Sequence, residues 1–246
     1  MRINELPLNV AIQLPGPCNY KCSWCSTGNA NTSGVITRAT KGNIEEIKRQ
    51  IANLGIDSRD HVHITGSGEP GLSKGFKPVI ELLNKLGSLV SVCCAGPRSI
   101  PEPKDCIFIN RADISCNQYT EWEEAVFKAK EKNIIVIATK VDSNGELSLI
   151  TPEQIAQDLD VNGVLIRALR TIGLAAGKQD TGTTRWWTKE TIPFFPSAAF
   201  PEFKNVQDCL PITCINENGQ IIDYLGQPSE SSKNLIHLEV KNPTSY

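Results

Sequence analysis

Pro15-Gly-Pro-Cys-Asn-Tyr-Lys-Cys-Ser-Trp-Cys-Ser-Thr-Gly28 is the stretch on which the reading of this chain turns. Cys18, Cys22 and Cys25 form a Cys-x3-Cys-x2-Cys array directly after the apolar run Leu8 to Leu14. Three thiolates within eight residues, on a loop bounded by Gly and Pro, can wrap one soft metal centre. Such a set suits zinc or an iron–sulfur cluster. A structural zinc site takes a fourth protein ligand, and no further Cys or His lies nearby in sequence. A [4Fe–4S] cluster on three cysteines leaves one iron open to a small molecule.

The second anchor is Gly66-Ser-Gly-Glu-Pro70, which follows the strand His61-Val-His-Ile-Thr65. Gly66 and Gly68 allow backbone to approach a ligand closely, and the Glu69 carboxylate can accept hydrogen bonds from an ammonium group. Working outward, short apolar runs at 8–14, 61–65, 89–94, 106–115, 134–138 and 164–168 read as six strands. Helices are predicted between most of them. Asn43 caps the first, with Glu46 in capping-box position and Gly55 at its close. The second runs over 76–86 to Gly87. Thr120 caps a third over 121–132, and Thr151-Pro-Glu-Gln154 opens a fourth.

Strand–helix alternation of this kind predicts a parallel sheet with helices outside it, curled into a barrel or part of one. Functional groups then gather at the C-terminal ends of the strands, where both anchors lie. After Arg170 the alternation stops. Residues 171–200 are rich in Gly, Thr and Pro, with Trp186, Trp187, Phe194 and Phe195, and 212–215 with 220–225 read as a β-hairpin through Asn218-Gly219. The expected organisation is a barrel unit over 1–170 and an extension over 171–246, with residues 171–226 closing the barrel's open side and Trp186 and Trp187 over its mouth or in the extension's own core.

The cysteine array, the aromatic Trp24 before its last cysteine, and the placement after a first strand resemble the radical S-adenosylmethionine (SAM) superfamily. Gly66–Pro70 is similar to that family's Gly-Gly-Glu-Pro motif, with Ser67 standing at its first glycine. The resemblance covers roughly residues 8–170. It implies an α/β fold, a partial (β/α)6 TIM-type barrel, with a [4Fe–4S] cluster on Cys18, Cys22 and Cys25. It further implies SAM on the open iron, with Gly66, Gly68 and Glu69 near the methionine amino group. Ser115 and Asn117 at the end of strand four, Lys140 after strand five and Arg167 on strand six are candidate contacts to SAM or to an anionic substrate; Arg170 is similar. The family's glycine- and glutamate-containing pattern on strand five is not evident in 134–142. Cys116 is a candidate hydrogen-atom donor to a substrate radical.

The implied activity is reductive cleavage of SAM to a 5′-deoxyadenosyl radical, which abstracts hydrogen from a small anionic or nucleotide-like substrate. An electron donor such as flavodoxin or ferredoxin is the implied partner. Alternatives are a peptide-modifying or glycyl-radical-activating enzyme of the same class, and a non-catalytic zinc or regulatory metal-binding protein. The net charge of −2 offers no general basic field for nucleic acid. Nine cysteines, unevenly spaced and odd in number, do not form a secreted disulfide framework, and no run approaches membrane-spanning length; a reducing cytoplasm fits. Cys93, Cys94 and Cys106 read as small core residues, Cys209 and Cys214 as structural, and His61 and His63 as barrel packing.

Overall fold

Alternation along the strands divides the molecule into two faces. Val10, Ile12 and Leu14, Val62 and Ile64, Val90 and Val92, Val136 and Ala138, and Val164 and Ile166 are buried in one apolar cluster. Ile47 and Ile51, Val79, Ile80 and Leu83, Ala125, Val126 and Ala129, and Ile155 and Ala156 complete that cluster from four helices. Every one of these helices therefore packs its apolar stripe on the same side of the sheet.

These elements come from a computed structural model that describes residues 7–20, 22, 25, 42–66, 68–94, 96–97, 100, 106–113, 119–142, 149–168, 185–189 and 212–222. In chain order they are β1 (Asn9–Leu14), α1 (Ile44–Asn53), β2 (His61–Gly66), α2 (Phe76–Leu86), β3 (Leu89–Cys94), β4 (Cys106–Asp113), α3 (Tyr119–Glu131), β5 (Ile135–Asp142), α4 (Pro152–Leu159), β6 (Gly163–Ala168), β7 (Arg185–Thr188), β8 (Ile212–Ile215) and β9 (Ile221–Ile222). The sheet order is β7-β6-β5-β4-β3-β2-β1-β8-β9. Strands β1 to β6 are parallel and sequential. That is a mixed α/β architecture built on a parallel sheet. Among the described residues the sheet is open, with β7 and β9 at its edges.

The helix ends follow local chemistry. The Asn43 side chain accepts from the Glu46 N–H at 2.9 Å, but Glu46 does not complete the predicted capping box. Its carboxylate is taken by Arg49 and Gln50, and the Asn43 N–H goes instead to the Glu217 carbonyl at 2.8 Å. The turn between β8 and β9 thus caps α1. At α4 both halves of the box are present, between Thr151 and Gln154, with Pro152 in the first turn. Gly87 ends α2 in the left-handed region, at φ 76°. Helix α3 starts at Tyr119, so Thr120 lies within its first turn rather than capping it.

The described segments after residue 170 join the same sheet. Strand β8 pairs parallel with β1 from Asn9 to Ile12, and β9 folds back on it. Strand β7 pairs antiparallel with β6, setting Trp186 beside Leu165 and Trp187 beside Val164. The two tryptophans therefore flank the body of β6 and not a mouth at strand C-termini. Trp187 packs against the main core, while Trp186 is exposed. None of the described helices is long and apolar enough to cross a membrane.

Candidate functional site

Parallel pairing from Asn9↔His61 to Leu14↔Gly66 brings the ends of β1 and β2 level. The loops that leave them are packed on each other. The Glu69 N–H donates to the Pro17 carbonyl at 3.0 Å. A Cβ built on Gly68 would overlap the carbonyl oxygens of Gly16 and Pro17, so the glycine admits the cysteine loop itself. Gly16 in turn lies against Ser73, with only 3.2 Å from a Cβ at Gly16 to the Ser73 Cα. After Glu69 the chain makes one 3₁₀ turn, Pro70–Leu72.

A third loop, from the end of β3, closes the junction. The Gly96 N–H donates to Glu69 Oε1 at 3.4 Å, and a Cβ on Gly96 would collide with the Tyr20 hydroxyl. Tyr20 and Glu69 are both buried, at 5% and 4% exposure. A carboxylate taken out of water must be met by donors or a cation, so Glu69 is a focus for a positively charged or hydrogen-donating group. Motif reading alone does not single out Tyr20 or Gly96. The signal is nonetheless present, because Gly96 follows the third strand at the same sheet edge and Tyr20 lies inside the cysteine array.

Cys18, Cys22 and Cys25 are half-buried thiols outside any disulfide. The Cys25 N–H donates to the Cys22 carbonyl at 3.2 Å, which brings the backbone of two of the three close together. Among the described residues no group of three or more His, Cys, Asp or Glu side chains is gathered to hold a metal ion. The donor chemistry fits a soft metal, while the three thiols are not converged.

Lys140 and Arg167 lie on opposite faces of the sheet. Lys140 shares the helix-covered face with Val136 and Ala138. Burial lowers its pKa, and Glu123 of α3 and Asp158 of α4 act in the opposite sense. Arg167, also buried, pairs in register with Val141 on the second face. Ser115, Cys116, Asn117 and Arg170 lie outside the described residues, as do Trp24, Ser67 and Cys209.

On β1 to β3 the second face carries buried polar groups, while on β5 and β6 it carries the buried Ile137, Val141 and Leu165 beside Thr139 and Arg167. His61 Nδ1 is 2.9 Å from Asn9 Oδ1, and its Nε2 is 2.8 Å from Ser91 Oγ. His63 Nδ1 is 2.8 Å from the same Ser91 Oγ. Desolvation holds the His61 pKa down at about 3, so its ring is neutral. Cys93 and Cys214 are buried, and Cys214 is level with Ala11 in the ladder.

With this geometry in hand, the chain can be set beside known proteins. No protein-family model matches it, and no curated protein matches it. Two solved structures share its fold. One is hexahistidine-tagged anSMEcpe with bound AdoMet, at TM-score 0.51 and 15% identity, over 65% of this chain and 49% of that one. The other is native anSMEcpe with bound AdoMet, at TM-score 0.50 and 14% identity, over 65% of this chain and 51% of that one. The match thus spans about half the length of those proteins, and at this identity it establishes the fold alone.

Proposed function

We propose that this protein is a radical SAM enzyme that cleaves SAM reductively and abstracts hydrogen from a small substrate. One observation carries the reading: the cysteine loop and the Gly68-Glu69 loop are packed into a single junction, with the Glu69 N–H on the Pro17 carbonyl. A soft-metal donor set and a buried carboxylate suited to an ammonium group thereby share one sheet edge. The AdoMet bound in two structures of one protein of similar fold adds support.

In this reading Cys18, Cys22 and Cys25 hold a [4Fe–4S] cluster, and metal binding draws the three thiols together. When bound, that cluster supplies the electron that cleaves SAM to methionine and a 5′-deoxyadenosyl radical. The chain's own contribution is orientation and exclusion of water. Glu69 receives the methionine ammonium, the Gly96 N–H holds the carboxylate in place, and Arg167 offers its charge to an anionic substrate. The reductant is a small electron carrier of the flavodoxin or ferredoxin type, and the setting a reducing cytoplasm.

The test is anaerobic reconstitution of the full chain with iron and sulfide, followed by SAM and a chemical reductant. The expected result is about four irons per chain and formation of 5′-deoxyadenosine, both lost on replacing Cys18, Cys22 or Cys25 by Ala. A triple alanine variant that keeps its iron, or a protein that takes up one zinc and leaves SAM intact, overturns the proposal.

A further inference from the structure

The segment that carries the three cysteines has its two ends side by side. Pro15 follows β1 directly, Asn43 precedes α1, and Cys18, Cys22 and Cys25 lie between them in sequence. A Cβ built on Gly42 would stand 2.8 Å from Pro15 Cβ and would overlap the Glu217 carbonyl oxygen. The Asn43 N–H donates to that same carbonyl at 2.8 Å. One backbone oxygen of the β8–β9 turn therefore sits where the two ends of the cysteine segment meet.

Local chemistry sets the shape of this turn. The Asn216 N–H donates to the Gln220 carbonyl at 2.9 Å, and the Asn216 carbonyl accepts from the Gly219 N–H at 2.9 Å. The Asn216 side-chain oxygen accepts from the Asn218 and Gln220 N–H groups at 3.0 and 2.9 Å. Backbone N–H groups can only donate, so the main chain itself settles which way this amide faces. Gly219 lies in the left-handed region at φ 78°, and a Cβ there would overlap Glu46 in the first turn of α1. Glycine alone meets both demands. The turn is fastened at its base too, because β8 pairs with β1 from Asn9 to Ile12, and β1 is the strand that leads into Pro15.

We propose that the β8–β9 turn is a clasp on the stem of the cysteine loop, which holds Pro15 and Gly42 together and presets Cys18, Cys22 and Cys25 for a metal. Closing a loop around a metal costs chain entropy, and a stem already closed removes part of that cost. Asn216, Glu217 and Gly219 are positioning residues. The first shapes the turn, the second supplies the carbonyl, and the third lets the turn lie on α1. The step to a metal rests on the enzymatic reading above, whereas the closure of the stem does not.

The experiment is amide hydrogen exchange by NMR on the full-length chain, followed by iron release from the chain reconstituted with iron and sulfide. Asn216→Ala removes the acceptor that shapes the turn. It should speed exchange about tenfold at Asn43 and also at Cys25 and Glu69, whose N–H groups are bonded within the loop junction. Amides of β5 should stay as in the wild type. Asn216→Asp keeps an oxygen for the same two N–H groups and should restore the slow exchange. Gly42→Ala, which pushes a methyl group between Pro15 and the Glu217 carbonyl, should reproduce the Asn216→Ala pattern and decides the matter if that variant does not fold. Faster exchange at Asn43 alone would make the turn a helix cap and overturn the proposal, as would an unchanged pattern in Gly42→Ala. In the reconstituted protein Asn216→Ala should lose iron to a chelator about tenfold faster than wild type, and an unchanged rate overturns the presetting of the thiols. A chain that shows the exchange pattern and takes up no iron counts against the enzymatic reading and leaves the clasp in place.

Discussion

The two faces of one sheet are built to different rules. On the helix-covered face every described strand position in the core cluster from β1 to β3 is Val, Ile or Leu. On the other, the same strands carry Asn9, His61, His63 and Ser91, all similarly buried. A parallel sheet covered on both faces usually runs apolar throughout. Polar groups out of contact with water give up hydration and regain it only through partners. The difference teaches that β1 to β3 are packed by apolar contact on one face and joined by hydrogen bonds on the other, with the loop junction at the edge they share.

The largest effect expected is on the helix-covered face. Ile64 is fully buried there, and truncation to Ala leaves a cavity that close packing cannot fill, at a cost of about 2–5 kcal/mol. Denaturant unfolding measures it. A loss below ~1 kcal/mol would mean that this face is not the stabilising one.

Next comes the pH response of the second face. The His61 pKa lies at about 3 in the fold against 6.5 for an ordinary histidine. Below pH 6.5 the unfolded chain binds a proton that the folded chain does not. Stability is therefore full above that pH and is lost as pH falls toward 3, by an amount on the order of a few kcal/mol. Unfolding free energies of wild type and His61→Gln across this window should diverge in slope, the wild type being the steeper. Parallel slopes would show that His61 takes up its proton in the folded protein much as it does in the unfolded chain.

The junction should respond in binding and not in folding. Glu69→Gln removes the charge proposed to receive an ammonium group, and Gly96→Ala drives a methyl group into Tyr20. Each should weaken SAM binding by about tenfold or more while iron content and unfolding midpoint stay near wild type. Calorimetry on the reconstituted protein reads it. Unchanged affinity in both variants would make the junction a packing device.

Much of this is legible in the residues. Strand and helix periodicity locates β1 to β6 and α1, α2 and α4, because their apolar stripes face one continuous core. The two loops announce themselves through Cys18–Cys25 and Gly66–Pro70 at strand ends. Other features depend on pairings that local pattern does not encode. Trp186-Trp187 has no period from which an edge strand beside β6 can be read, and nothing near Ile212 indicates that it will align with Asn9. Proximity to strand ends groups Lys140 with Arg167, whereas alternation from Val136 assigns Lys140 to the helix side. The His61–Ser91–His63 chain needs the register of three strands before its members can be seen as neighbours.

The smallest effect expected is the one that separates the two faces most cleanly. Thr139 is fully buried on β5, and its hydroxyl has no hydrogen-bond partner in the protein. Its neighbours in sequence, Ala138 and Lys140, point to the helix side, which sets Thr139 on the face of Leu165 and Arg167. A buried hydroxyl without a partner costs about 1–3 kcal/mol relative to one that is satisfied. Thr139→Val keeps the branched shape, removes the orphan oxygen, and should be neutral or stabilise the protein by up to ~1 kcal/mol, a rise of about 2–4 °C in Tm for a chain of this size. Substitution of a core valine by threonine on the helix-covered face, at Val136, should do the reverse. If Thr139→Val instead destabilises by more than ~1 kcal/mol, the hydroxyl has a bound water or other partner and is part of the structural framework. If it stabilises but lowers the ratio of product to 5′-deoxyadenosine once a substrate is in hand, the orphan oxygen is retained for a ligand. Stability would then have been given up on this face for recognition.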